Sequence, residues 1–146
     1  MKSEGDFFDP KSAAVAVARW GLGLLLFYSG LGKFMGGISG FVSGYLSAQF
    51  AKTFLPPVFI SIYGHVLPFA ELILGFLLIL GLFRNYTLLL SGLTFISLAF
   101  GQLVLQQHEV VATIFIYIAI NAALLFLDEY DCWVIGKKWN RGNRHS

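Results

Sequence analysis

The sequence contains one cysteine, Cys132, in 146 residues. A lone cysteine cannot close an internal disulfide or form a paired-thiol redox centre, so thiol-based electron transfer within the chain is excluded. Charge is also scarce. Asp, Glu, Lys and Arg make up 12% of the residues, about half the share usual in soluble domains, which leaves too little polar surface for a soluble fold. Metal-ligand spacing is missing as well. His65 and Glu71 are six residues apart, on different faces of a straight helix, and His108-Glu109 lacks a helical i, i+4 partner, so no metal is expected. A haem between helices would need histidines facing each other at matching depth, and His65 and His108 both fall near one rim. The few basic residues flank apolar runs instead of lining a groove, and no nucleotide motif is visible. Nucleic-acid binding therefore has no support.

The chain is rich in apolar sequence: 57% hydrophobic residues, 15 of them phenylalanine, with a mean hydropathy of +0.73. Runs long enough to cross a bilayer, about 20 residues each, recur four times. The predicted fold is all-α, a polytopic membrane protein built as a four-transmembrane-helix bundle. The spans are expected at about 13–34, 58–83, 86–105 and 110–127. Between the first two, MGGISGFVSGYLSAQFAKT from Met35 places Phe41, Tyr45, Leu46 and Phe50 about one turn apart. This reads as a short interfacial or re-entrant segment, ended by Pro56-Pro57. The N-terminus is too polar before Ala13 for a cleaved signal and lacks a cleavage pattern, so helix one is expected to be retained.

The predicted organisation is a cytoplasmic segment 1–12, a membrane domain 13–131 and a basic cytoplasmic tail 132–146. Four spans put both termini and Arg84 on one side. Lys2, Lys11, Arg19, Arg84, Lys137, Lys138, Arg141 and Arg144 then face Lys33 and Lys52 across the membrane. That bias predicts cytoplasmic termini in a bacterial inner membrane.

Ionisable groups inside the apolar phase are costly, and two stand out: Arg19 and Glu71. By residue count Arg19 is about 9 Å deep and Glu71 about 18 Å, which suggests an Arg19–Glu71 pair between neighbouring helices. Such a pair has two readings: it locks the helices in register, or Glu71 faces a cavity and handles a proton or a polar ligand head. Pro68 and Gly75 flank Glu71 and thin that face, leaving room for a ligand or for a close helix. Lys33, His65, Gln102, Gln106, His108 and Glu109 cluster towards the outer end. They either snorkel and cap helices, or form a mouth in which His65 or His108 exchanges protons with the outside, His65 being the better candidate because it shares a helix with Glu71. Asn121 reads as a helix-to-helix hydrogen bond, and Gly21, Gly23, Gly30, Gly32, Gly75 and Gly81 as packing positions.

Arg19, the run Phe27-Tyr28-Ser29-Gly30-Leu31-Gly32-Lys33, Glu71-Leu72-Ile73-Leu74-Gly75 and Gly81-Leu82-Phe83-Arg84 together resemble the DoxX family of bacterial membrane proteins. The last element is one residue shorter than the family pattern, and beyond about residue 85 the likeness is one of hydropathy. The resemblance implies a four-helix membrane bundle tied to redox chemistry. Relatives include a membrane subunit of thiosulfate:quinone oxidoreductase, a membrane partner in oxidative-stress complexes and maturation factors for periplasmic quinoproteins. It marks Arg19, Lys33 and Glu71 as the functional positions.

The leading expectation is a quinone-linked redox component or a membrane subunit of an oxidoreductase complex. Glu71 would handle protons, tuned by Arg19 or His65, and Lys33, Gly30 and Gly75 would line a quinone pocket. Having no metal or nucleotide motif, the chain would need a bound quinone or a partner subunit, or would act as a homo-oligomer. The alternative is a non-catalytic accessory subunit packing against a larger membrane complex, with Trp133, Trp139 and the basic tail among its contacts. A small transporter is less supported, since no inverted repeat is visible.

Overall fold

A computed structural model describes residues 10–127, and every element within them is helical. The first nine residues, the helix end expected at Asp128 to Asp131 and the basic tail with Trp133 and Trp139 lie outside the described residues. Helix α1 spans Pro10–Met35. Three short helical pieces follow: α2 (Ile38–Gly40), a π-helical stretch (Phe41–Leu46) and α3 (Ser47–Phe50). Then come the long helices α4 (Pro57–Leu80), α5 (Arg84–Val104) and α6 (His108–Phe126). The four long helices are each long and apolar enough to cross a membrane. At 1.5 Å per residue they measure about 29 to 39 Å, the thickness of a hydrocarbon core or slightly more. The protein is a multi-pass membrane protein.

The helix ends follow from local chemistry. Pro57 occupies the first turn of α4 behind an extended Pro56, a position where the missing amide costs nothing. At the other end Gly81 turns left-handed (φ 75°), and its amide and that of Leu82 both bond to the Leu77 carbonyl. Helix α4 therefore stops three residues before the Phe83 expected from hydropathy, and Arg84 opens α5. The connection is Gly81 to Phe83 instead of Arg84-Asn85. Phe83 itself is left-handed (φ 48°), an uncommon conformation for a residue with a side chain.

Helix α1 packs along α4, α4 along α5, α5 along α6, and α6 returns to α1, closing a ring. Leu22, Leu26, Leu74, Leu78, Leu88, Phe95, Ile114 and Leu124 fill its interior. The outer surface carries Val17, Leu24, Ile62, Ile73, Leu89, Phe115 and Ile116, all exposed as lipid-facing residues should be. The segment between α1 and α4 is held at the Met35 end of the bundle. Its Val42 and Leu46 are buried against α4 at Gly64, where a Cβ would fall 2.8 Å from Val42 Cγ2 and 2.6 Å from Leu46 Cδ1. Pro68, one turn along, has no amide to donate to the Gly64 carbonyl, so the α4 ladder is interrupted where the segment docks.

Candidate functional site

Helices α1 and α4 meet along a seam of small residues. A Cβ on Gly23 would lie 2.9 Å from the Gly75 carbonyl oxygen. One on Gly75 would collide with the Phe27 amide and lie 2.7 Å from the Gly23 carbonyl. Seven residues further along α1, a Cβ on Gly30 would lie 2.8 Å from the Leu72 amide and 2.9 Å from the Pro68 carbonyl. These contacts press the two backbones together at both ends of the turn that carries Glu71.

Glu71 sits between them, 2% exposed, about 21 Å along α4 from Pro57. Lys33 Nζ lies 2.7 Å from its Oε2, and Ser29 Oγ donates to its Oε1 at 3.2 Å. Lys33 also donates to Ser29 Oγ at 2.8 Å, so the three side chains form a closed triangle. Helix geometry explains the pairing. Side chains lean towards the N-terminus of their own helix, and α1 and α4 run antiparallel. Lys33 therefore reaches back into the bundle while Glu71 reaches out towards it. Ser29 and Lys33, four apart, share one face of α1.

The same rule sends Arg19 the other way. Its Nη1 donates to the carbonyls of Leu78 at 2.6 Å and Ile79 at 3.3 Å, at the C-terminal end of α4, while the side chain is 1% exposed. The last carbonyls of a helix lack amide partners and carry partial negative charge, which a guanidinium satisfies. The expected Arg19–Glu71 pair is thus corrected: Arg19 sits level with Leu78 and Ile79, its side chain leans away from Glu71, and Lys33 takes the carboxylate.

His65 is exposed, and its Nδ1 lies 2.7 Å from the Ser61 carbonyl of its own helix. It does not join Glu71, because six residues turn it to another face. Gly30 and Gly75 do not line a pocket either: each is filled by the opposing backbone, so the thin face of α4 admits a helix and leaves no ligand space there. Asn121 donates from Nδ2 to the Leu88 carbonyl at 2.7 Å, bridging α6 and α5.

Two depressions flank the segment between α1 and α4. On the α1 side a groove of about 510 Å³ is lined by Tyr28, Ser29, Lys33, Phe41 and the glycines 32, 36, 37 and 40. It exposes the outer side of the triangle. Lys33 Nζ stands 5.3 Å from the centroid of the Phe41 ring, which stacks in turn on Tyr45. On the other side a smaller cavity of about 70 Å³ is walled by Phe50, Phe59, Phe100 and the Tyr63 to Ser97 hydroxyl pair, 2.8 Å apart. Ser29 and Phe41 were not singled out from sequence as site residues. The Ser29-x-x-x-Lys33 spacing was a signal for the first; the placement of Phe41 depends on a chain reversal that no local pattern announces.

Residues 11–113, well over half of the chain, match the family model described as methylamine utilisation protein MauE. No curated protein and no solved structure matches. The match overturns the DoxX resemblance. That likeness rested on short motifs of glycine-rich apolar helices, and its final element, Gly81 to Arg84, is accounted for here as a helix cap and a turn. The chain belongs to the MauE family of membrane proteins.

Proposed function

We propose that this protein is a quinone-linked component of a membrane redox system, with the Lys33–Glu71–Ser29 triangle as the place where a ligand head meets a proton carrier. One observation carries the reading: a carboxylate buried in the middle part of a spanning helix is paired with a lysine that also lines an open groove. Buried charge of this kind is costly in a bilayer and commonly marks a proton or ligand path. A quinone reduced there takes up two electrons and two protons. Lys33 would donate a hydrogen bond to a head-group carbonyl, and Glu71 would supply or accept a proton through Ser29 or Lys33. The sequence offers one cysteine and no metal or nucleotide motif, so on this reading the electrons would come from a partner oxidoreductase. The family description names methylamine utilisation, and if that use is oxidative it would release electrons in pairs, which would suit a two-electron membrane carrier. The basic-residue bias supports cytoplasmic termini, which would place the groove towards the outside.

The test is purification in mild detergent with mass spectrometry of bound lipids and proteins. Wild-type protein should carry a quinone and a redox partner. The double variant Lys33→Met/Glu71→Gln, which removes both charges together, should fold and lose the quinone. If the wild type carries no quinone and quinone-dependent activity of host membranes is unchanged in the double variant, the reading fails.

A second reading, an accessory subunit packing against a larger complex, is favoured by the uneven burial of the helices. Only 28% of the spanning window of α5 and 22% of that of α6 are buried, against 39% for α1 and for α4. Among the described residues the α5–α6 face is largely uncovered, which would suit a partner. Such a subunit would co-purify in fixed ratio with its partner and tolerate the double variant.

A further inference from the structure

The surroundings of the Lys33 ammonium are uneven. It has three donor positions. Two are used, on Glu71 Oε2 at 2.7 Å and Ser29 Oγ at 2.8 Å. Among the described residues the third has no hydrogen-bond partner, and the ring of Phe41 lies 5.3 Å from Nζ. A cation over an aromatic face is held weakly compared with a charged hydrogen bond, so this third contact can be exchanged without opening the ion pair.

Phe41 is also placed to receive something flat. It begins the π-helical stretch, and its ring lies within 14° of parallel to that of Tyr45, 5.8 Å away, which fixes the plane it presents. The groove beside it is walled by Gly32 on α1 and by Gly36 just beyond it, and an added Cβ at Gly32 would meet nothing within 4 Å. A slot with backbone on one wall and an aromatic face on another suits a planar ring better than a flexible chain.

We infer that Phe41 is the ring-recognising residue of the site, and that the ligand class is a planar ring bearing a carbonyl, stacked on Phe41 with its oxygen on the third Lys33 donor. This rests on the quinone-linked reading above and adds to it a specificity-determining residue. A phospholipid phosphate could also accept from Lys33, but it would gain nothing from an aromatic partner. A non-planar diketone would reach the same donor without stacking.

The test uses the full chain in phospholipid nanodiscs, titrated with menadione as the planar probe and cyclohexane-1,4-dione as the non-planar one. Phe41→Leu should weaken menadione binding roughly five- to ten-fold, and Phe41→Tyr should change it by less than about twofold, as expected for the loss or retention of one ring stack. Binding of the dione should be weak and the same in all three proteins. Should Phe41→Leu fail to fold, Phe41→Met replaces it with the same expectation. If wild-type protein binds menadione, Lys33→Met does not, and Phe41→Leu binds like wild type, the inference is overturned while the quinone reading stands. Equal loss of both probes in Phe41→Leu would make Phe41 a structural residue and also overturn it. If wild-type protein binds no menadione, the reading and the inference fall together.

Discussion

Lys33 and Glu71 meet end on, 2.7 Å apart, across the α1–α4 seam, each side chain leaning from its own helix towards the other. Removing one partner leaves a charge with no counterpart inside the bilayer. Lys33→Met and Glu71→Gln singly should each cost about 3 kcal/mol, and the double variant much less than their sum. Unfolding in mixed micelles measures the cycle. Additive losses would mean that the two groups do not interact.

The glycines separate into two kinds. Gly75→Ala puts a methyl group into the Phe27 backbone and should destabilise the protein by about 1 to 3 kcal/mol. Gly32→Ala meets nothing and should stay within about 0.5 kcal/mol of wild type. Thermal melts of the two variants check this, and equal stabilities would contradict the seam.

Arg19 is predicted to act on the end of α4 and not on Glu71. Arg19→Met should remove the hydrogen bonds to the Leu78 and Ile79 carbonyls, cost about 1.5 to 3 kcal/mol, and raise amide exchange in the Gly81 to Phe83 turn. Binding at the Lys33 groove should be unchanged in the fraction that folds.

His65→Ala should alter neither stability, beyond about 0.5 kcal/mol, nor any property that depends on Glu71, since the ring bonds only to its own helix. A pH dependence of quinone binding that disappears in this variant would restore His65 to the site.

How far the sequence reached depends on which physical quantity decided each feature. The four spans and the interposed segment were legible because hydropathy and length decide them, and a bilayer tolerates few alternatives. Glu71 was legible because of its cost. Its partner was not: counting residues gives depth along a helix but no direction, and the lean of the side chain turns Arg19 away and Lys33 inwards. The ends of α4 and α5 moved because a left-handed Gly81 stops a helix that hydropathy would continue. The glycine positions were legible as close approach, but whether a helix or a ligand fills such a face is decided by packing against a helix distant in sequence. Phe41 depends on how the segment doubles back, a tertiary matter throughout.

The glycine contacts on either side of Glu71 have a directional consequence. Gly23 and Gly75 bring backbone against backbone on the Pro10 side of the carboxylate, and Gly30 does so beside it, whereas Lys33 and the groove lie towards Met35. A proton or solute approaching from the Pro10 end meets a closed seam; one approaching from the Met35 end meets the groove and the Lys33 ammonium. On the quinone-linked reading Glu71 would be open to one leaflet only, and any proton it exchanged would come from the compartment on that side.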